Sequence, residues 1–186
     1  MRITGGKARG IVLKTPQGQR TRPAADAMRE SLFSSLGEWV EGSRVLDLYA
    51  GTGSYGLEAL SRGAQAAQFV EADARCIACL RDNLTRVAKS CDLSAGVGGV
   101  SKVDVFNWGD SGEGNWDLII ADPPYADLPR VETKLFDLAR RSLQASGYLI
   151  LEQPADLTIS ADGWTQVKRL GKKRGNGPAL SIWKKD

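Results

Sequence analysis

Short apolar runs alternate with helix-like segments from residue 45 to about residue 152. Nearly continuous apolar runs are typical of parallel strands that are buried on both faces. Apolar residues that recur every three or four positions indicate amphipathic helices. This alternation predicts an α/β fold with a doubly wound, mostly parallel sheet, in which helices cover both faces and ligands bind at the carboxyl ends of the strands.

Seven strands are expected in the sheet. The first five are predicted at 45–49, 69–71, 103–105, 116–121 and 148–151, and two more at 167–170 and 180–183 form an antiparallel pair at one edge. Helices are predicted at 23–40, from 57 to a stop at Gly63, at 77–87 and at 135–143. Residues 2–4 and 10–14, on either side of Gly5 and Gly6, predict a small β-hairpin. We therefore expect one domain over 1–186, with an N-terminal appendage at about 1–40.

Histidine is absent from the 186 residues. Its absence removes the commonest general base, the commonest zinc ligand and every Ser-His or Cys-His nucleophilic pair. The three cysteines are odd in number, and no apolar stretch approaches the roughly 20 residues of a membrane span. We expect a cytoplasmic protein that binds no metal and no membrane, with chemistry based on carboxylates, amides, tyrosines or a cofactor.

Charged side chains are segregated along the chain. Residues 1–30 carry seven basic and two acidic side chains, residues 164–186 carry seven and one, and residues 31–163 carry eleven and nineteen. Basic ends of this kind indicate a polyanionic partner, provided that the fold brings both ends to one side. The residues expected to hold the phosphates of such a partner are Arg9, Lys14, Arg20, Arg22, Arg29, Lys172, Lys173 and Arg174.

A glycine-rich turn follows the first predicted strand. Residues 51–56 match the G-x-G-x-x-G pattern of dinucleotide sites, and Glu71 lies twenty residues after Gly51. Asp47 stands just before this turn, where its carboxylate would repel a pyrophosphate. The same carboxylate would attract the α-ammonium group of S-adenosylmethionine, which carries no phosphate.

Acids are predicted at the ends of three successive strands. Glu71 can accept hydrogen bonds from ribose hydroxyls, and Asp104 can accept from an adenine amine. Together with Asp47, they suit a cationic nucleoside without phosphates, so the expected cofactor is S-adenosylmethionine. The expected cofactor contacts are Asp47, Gly51, Gly53, Glu71, Asp104 and Val105.

A proline-rich tetrad follows the fourth predicted strand. It reads Asp122, Pro123, Pro124, Tyr125, and the two prolines fix the backbone and end the ladder. In such a rigid loop, the Asp122 carboxylate and the Pro123 carbonyl can both accept from one exocyclic NH2 group. Tyr125 offers a face for an extruded base. The tetrad is therefore the predicted catalytic loop for methylation of a base amine.

Several blocks of the sequence coincide with one family. They are RITGG at 2–6, TRP at 21–23, DLYAGTG at 47–53 and GLEALSRGA at 56–64, together with DPPY at 122–125. The chain resembles the RsmD family, bacterial small-subunit ribosomal RNA guanine-N2 methyltransferases of class I with a Rossmann-like fold. It departs from the family at Ala24 and Ala27, where threonine and arginine are usual, and at Arg174, where an aromatic residue is usual.

The resemblance implies methylation of N2 of one guanine within a nearly assembled small ribosomal subunit, and we expect the protein to be a monomer. An NAD-dependent oxidoreductase, favoured by the literal glycine pattern, stays open as an alternative. So does a non-catalytic RNA-binding module that has kept a methyltransferase fold. Among methyltransferases, an adenine-N6 enzyme is the nearest rival, because the tetrad recognises an NH2 group rather than a particular base.

Overall fold

The computed structural model describes residues 1–18, 23–94, 96–109, 115–171 and 177–186. Seven strands form one sheet in the order β3-β2-β1-β4-β5-β7-β6. Strand β7 is antiparallel to β5 and β6, and the other neighbouring pairs are parallel. The strands are β1 Arg44–Leu48, β2 Ala66–Glu71, β3 Gly98–Lys102, β4 Trp116–Ala121, β5 Leu143–Pro154, β6 Trp164–Gly171 and β7 Pro178–Lys185.

Helices cover both faces of the sheet. On one face, α1, α2 and α3 bury residues such as Leu32, Leu57 and Leu80, and α4 buries Leu135 on the other. The helices are α1 Pro23–Leu36, α2 Ser54–Ser61, α3 Ala74–Ser90 and α4 Leu128–Ser142, with 3-10 turns at Gly37–Trp39 and Val105–Asn107. The predicted doubly wound, mostly parallel sheet with an antiparallel edge is confirmed. Among the described residues, every helix is too short or too polar to span a membrane.

The third strand is not where the apolar run suggests. It occupies Gly98–Lys102, so the prediction of a strand at 103–105 is wrong. This strand lies at the edge of the sheet and is only half-buried, which explains why it lacks an apolar run. A Cβ atom at Gly98 would come within 2.7 Å of Leu84 Cδ1, so α3 packs closely against the strand at this glycine.

The strand order reverses between β1 and β4. These strands pair from Val45 and Leu118 to Leu48 and Ala121. The connections through α2 and α3 cross one face, whereas the connection through α4 crosses the other. Such a reversal opens a crevice at the carboxyl ends of the two strands, where doubly wound proteins bind their ligands.

The N-terminal hairpin is confirmed as a short antiparallel pairing that is docked on α2. Arg2 bridges Val12, and the Lys7 N–H donates to the Ser61 carbonyl oxygen at 2.8 Å. Gly6 has a positive φ of 73°, and a side chain there would overlap the Ser61 carbonyl. The loop therefore lies against α2 because its glycine backbone can approach that closely.

Glu58 on α2 is the buried anchor of this appendage. Its side chain is fully buried and accepts from the Thr4 N–H at 2.8 Å, the Thr4 hydroxyl at 2.7 Å and the Gly5 N–H at 2.8 Å. It also pairs with Arg29 Nε at 3.1 Å and with Arg62 Nε at 2.8 Å. One carboxylate thus joins the hairpin, α1 and α2.

Candidate active site

Four carboxylates gather at the carboxyl edge of the central strands. Asp47 is the next-to-last residue of β1, and Glu71 is the last residue of β2. Asp122 directly follows β4, and Glu152 lies near the end of β5. Ala121 on β4 pairs with Leu151 on β5, so Asp122 and Glu152 follow at the same level on adjacent strands. Neighbouring strands are about 4.8 Å apart, which brings these two side chains side by side.

The glycine turn after β1 has a left-handed backbone that keeps one surface open. Tyr49, Gly51 and Gly53 have φ values of 57°, 55° and 87°. A Cβ atom at Gly51 would meet nothing within 4 Å, whereas one at Gly53 would overlap Leu80 Cδ1 on α3 and lie 3.0 Å from Leu57 Cδ1 on α2. Gly53 therefore permits close packing against α3 and α2, and Gly51 leaves its backbone accessible to a ligand.

Glu71 is held against this turn, as expected for a shared binding site. Its Oε2 accepts from the Gly51 N–H at 2.7 Å. Its Oε1 accepts from the backbone N–H groups of Ala72 at 2.8 Å and Asp73 at 2.7 Å. Oε2 accepts only one of these bonds and keeps a further lone pair, so the group is fixed in position and can still accept from a ligand hydroxyl.

Asp47 is buried beneath the turn. Its Oδ2 accepts from the Gly56 N–H at 2.8 Å, at the start of α2. Burial raises the pKa of Asp47 from 3.8 to about 8, and the charge of Glu71 adds to this rise while the Gly56 hydrogen bond opposes it. A second anion is unfavourable in such surroundings, whereas a cation would favour the ionised carboxylate.

The raised pKa of Asp47 predicts a loss of stability with rising pH. Between pH 3.8 and about 8, folded Asp47 holds a proton that the unfolded chain has released, so the free energy of unfolding falls as pH rises through this window. The slope is at most about 1.4 kcal/mol per pH unit. Urea unfolding of wild type and Asp47→Asn from pH 5 to 8 measures it, because asparagine does not titrate. A difference between the two proteins that stays constant with pH would contradict the prediction.

Asp104 lies at the same edge, after β3 rather than at its end. Its Oδ1 accepts from the Phe106 N–H at 2.9 Å and caps the 3-10 turn, and the carboxylate remains exposed. Burial raises the pKa of Tyr49 to about 12, and the nearby charges of Asp104 and Asp127 contribute. Val105 is buried in the core. The edge of the sheet therefore presents the Asp104 carboxylate, while the Val105 side chain lies in the core.

The Asp122–Tyr125 loop follows β4 directly, at the carboxyl edge of the sheet. Asp122 is half-buried, Pro123 is buried, and Pro124 and Tyr125 are exposed. The Pro124 carbonyl accepts from the Asp127 N–H at 2.9 Å, which closes the loop onto the start of α4. The loop is thus held at both ends, by the end of β4 and by α4.

Glu152 is the principal site residue that we did not predict. Its Oε2 accepts from the Tyr55 hydroxyl at 2.6 Å, and its Oε1 from the Tyr125 hydroxyl at 3.2 Å. Burial raises the pKa of Asp122 well above its ordinary value, and the charges of Glu152 and Asp47 raise it further. The available signal was an acid directly after the apolar run 148–151, which is the pattern that identified Asp47.

Asn83 on α3 is a second residue that sequence reasoning missed. It is fully buried, and its Oδ1 accepts from the Lys14 N–H at 2.8 Å. Its Nδ2 donates to the carbonyl oxygens of Lys14 at 3.0 Å and Thr52 at 3.1 Å. One amide thereby connects the segment after the hairpin to the glycine turn, and no periodicity in the sequence indicates this.

The basic residues expected to hold RNA divide into three groups. Arg9 and Lys14 are exposed, and Lys14 pairs with Asp82 at 2.6 Å. Arg29 is only 1% exposed and is engaged by Glu58 and Asp26, so the prediction that it holds a phosphate is wrong. Its position on α1 faces the core rather than solvent. Five other predicted residues lie outside the described part of the chain: Arg20, Arg22, Lys172, Lys173 and Arg174.

The elements that flank the two basic segments lie together. Helix α1, which begins just after residues 19–22, packs against β6, which ends just before residues 172–176. A Cβ atom at Gly171, the last residue of β6, would lie 3.1 Å from Met28 Cε on α1. The fold therefore brings α1 and the end of β6 together on one side of the sheet.

Comparison with known proteins gives a consistent set of similarities. The family model described as conserved hypothetical protein 95 matches residues 1–181. Ribosomal RNA small subunit methyltransferase D of Haemophilus influenzae is 34% identical over 170 residues, which are 90% of this chain and 86% of that protein. The putative rRNA methyltransferase YlbH of Bacillus subtilis is 43% identical over 84 residues, 45% of this chain and 46% of that protein. The solved structure of putative methyltransferase yhhF from Escherichia coli is 25% identical, with a TM-score of 0.81 and coverage of 100% of this chain and 98% of that one.

Proposed function

We propose that this chain, which belongs to the RsmD family of ribosomal RNA small subunit methyltransferases, methylates the exocyclic N2 of a guanine in small-subunit ribosomal RNA. The methyl donor is S-adenosylmethionine. One observation carries the proposal: the glycine turn with its carboxylates and the Asp122–Tyr125 loop share the crevice where the strand order reverses.

The donor set of the crevice fits S-adenosylmethionine better than a dinucleotide. Asp47 suits an α-ammonium group, Glu71 suits ribose hydroxyls and Asp104 suits an adenine amine. The open backbone at Gly51 lets the nucleoside approach closely. A pyrophosphate would instead bring further negative charge beside the Glu71 carboxylate, which disfavours the NAD-dependent alternative.

The catalytic loop holds the base amine. The bound cofactor supplies a methyl group on a sulfonium centre. The Asp122 carboxylate and the Pro123 carbonyl accept hydrogen bonds from the two N–H groups of the amine. These bonds orient the nitrogen lone pair, which is otherwise conjugated into the ring, towards the methyl group. They also offset the positive charge that develops on nitrogen as the N–C bond forms. The proton lost from nitrogen passes to Asp122, whose raised pKa makes it a stronger base.

Tyr125 and the basic ends hold the rest of the substrate. The exposed Tyr125 ring is a face on which the extruded base stacks, worth about 1–3 kcal/mol. Residues 1–40 form an RNA-contacting appendage, with Arg9 and Lys14 exposed on it. We expect the enzyme to act in the cytoplasm as a monomer on an assembled small ribosomal subunit.

Methyl transfer itself tests the proposal. Protein is incubated with labelled S-adenosylmethionine and small subunits, deproteinised RNA or DNA from cells that lack the enzyme. We expect label in small-subunit ribosomal RNA. Protein that binds S-adenosylmethionine but labels no ribosomal substrate would be a non-catalytic RNA-binding module. Calorimetric binding of NAD without binding of S-adenosylmethionine would instead support the oxidoreductase.

The exposed Arg9 predicts a specific salt dependence of RNA binding. Each phosphate contact contributes roughly 0.7–0.9 to the slope of log K against log salt concentration, so Arg9→Ala should reduce the slope by about that amount. Cofactor affinity should not change. Lys89→Ala, in the last turn of α3, is the matched control. An unchanged slope in the Arg9 variant would remove Arg9 from the RNA interface.

A further inference from the structure

Glu152 is oriented in the crevice but has no part in the mechanism above. Two hydroxyls hold it: Tyr55, which is buried on α2, donates at 2.6 Å, and Tyr125 of the catalytic loop donates at 3.2 Å. Glu152 itself is only half-buried. A carboxylate has about four acceptor positions, so two tyrosines leave Glu152 able to accept from a ligand.

Asp122 stands directly beside it, because both residues continue from the paired Ala121 and Leu151 on adjacent strands. The group that Asp122 binds is therefore within reach of Glu152. Asp122 is affected both by burial and by the charges of two neighbouring carboxylates, Glu152 and Asp47. A substrate that presents hydrogen-bond donors to both acids relieves this arrangement, whereas one that presents an acceptor worsens it.

Building on the proposed guanine-N2 activity, we propose that Glu152 determines base specificity by accepting a hydrogen bond from N1–H of the flipped guanine. Asp122 and the Pro123 carbonyl hold the adjacent N2 amine. Tyr55 is a positioning residue, since its hydroxyl orients Glu152 without touching the base.

The chemistry of the two amino purines explains the selectivity. Guanine carries two neighbouring donors, N1–H and the N2 amine, on its Watson–Crick edge. Adenine carries an amine next to N1, which is an acceptor. An ionised carboxylate only accepts hydrogen bonds, so adenine would set its N1 lone pair against a lone pair of Glu152 and give that carboxylate no donor. The same loop that binds any NH2 group thereby becomes selective for guanine.

Glu152→Ala and Glu152→Gln test this role by steady-state methylation of small subunits. We expect Glu152→Ala to lower kcat/KM by roughly 10- to 100-fold, which is the discrimination of one good base contact. Glu152→Gln keeps an acceptor oxygen and should lose less. Tyr55→Phe should show a partial loss, because its ring remains and only the hydroxyl that orients Glu152 is removed.

A second readout separates this role from a structural one. Without the charge of Glu152, the acid limb of the kcat profile should move to lower pH, because Asp122 then ionises more readily. Of the other titratable groups in the described chain, Asp47 on β1 and Tyr55 on α2 interact electrostatically with Asp122, Tyr125 of the same loop contacts Glu152, and all three are unchanged. S-adenosylmethionine affinity and the thermal midpoint should also stay unchanged, as in the control Glu38→Gln at an exposed acid.

The outcomes distinguish this inference from the proposed function. Wild-type protein that forms no N2-methylguanosine contradicts the proposed function. If wild-type protein forms it and Glu152→Ala keeps kcat/KM within twofold, only the role of Glu152 is overturned. A fall in kcat/KM that is matched by equal falls in cofactor affinity and thermal midpoint would also overturn it, since Glu152 would then be structural.

Discussion

Asp122→Ala is expected to lower kcat for methyl transfer by roughly 100- to 1,000-fold, the usual cost of removing one preorganised electrostatic group. Asp122 follows β4 in the half-buried position where a base amine would be held. Alanine removes both the acceptor that orients the amine and the base that receives its proton. Single-turnover methylation of small subunits, with saturating S-adenosylmethionine, measures the chemical step directly.

Two controls keep this result specific. Asp137→Ala removes an acid from the exposed side of α4 and should leave kcat unchanged. Calorimetry should give the same S-adenosylmethionine affinity for Asp122→Ala as for wild type. A folded Asp122→Ala variant that methylates at the wild-type rate would contradict the assigned role of the loop.

Glu58→Ala is expected to lower the free energy of unfolding by roughly 3–5 kcal/mol, because it breaks a buried ion pair from one side. Arg29, which is 1% exposed, and Arg62 would lose their carboxylate partner. The backbone N–H groups of Thr4 and Gly5 would lose their acceptor as well. Urea unfolding measures the loss of stability, with Glu38→Ala at an exposed site as the matched control.

This variant also tests how the appendage is attached. Amide hydrogen exchange should accelerate in residues 1–14 of Glu58→Ala more than in the sheet, because the lost contacts join the hairpin to α2. A stability within 1 kcal/mol of wild type, on the order of a single net hydrogen bond, would show that Glu58 does not anchor the appendage.

Most of the sheet was predictable because its central strands are buried on both faces. The predicted strand at 116–121 coincides with β4, and the run at 45–49 lies within one residue of β1. Strand β3 was missed because an edge strand of glycine, serine and lysine carries no apolar run. The pattern of apolar residues in a sequence reflects which residues are buried. A half-buried strand at the edge of a sheet therefore leaves only a weak apolar pattern.

The candidate site was predictable where chemistry and strand ends coincide. Asp47, Glu71 and the Asp122–Tyr125 loop do converge at one edge. Glu152 was missed, although it follows the same pattern, because its partners Tyr55 and Tyr125 are 97 and 27 residues away in sequence. Arg29 was misassigned because a charged residue on a helix usually faces solvent, and its buried carboxylate partner lies 29 residues further along the chain.

The identity of the methylated nucleoside tests the central claim most directly. Small subunits from cells lacking the enzyme are labelled with wild-type protein and S-adenosylmethionine, digested to nucleosides and separated by chromatography. Our account predicts that the label is found in N2-methylguanosine and disappears with Asp122→Ala. Label in N6-methyladenosine would contradict the base assignment, and an equal yield from the Asp122→Ala variant would contradict the proposed catalytic loop.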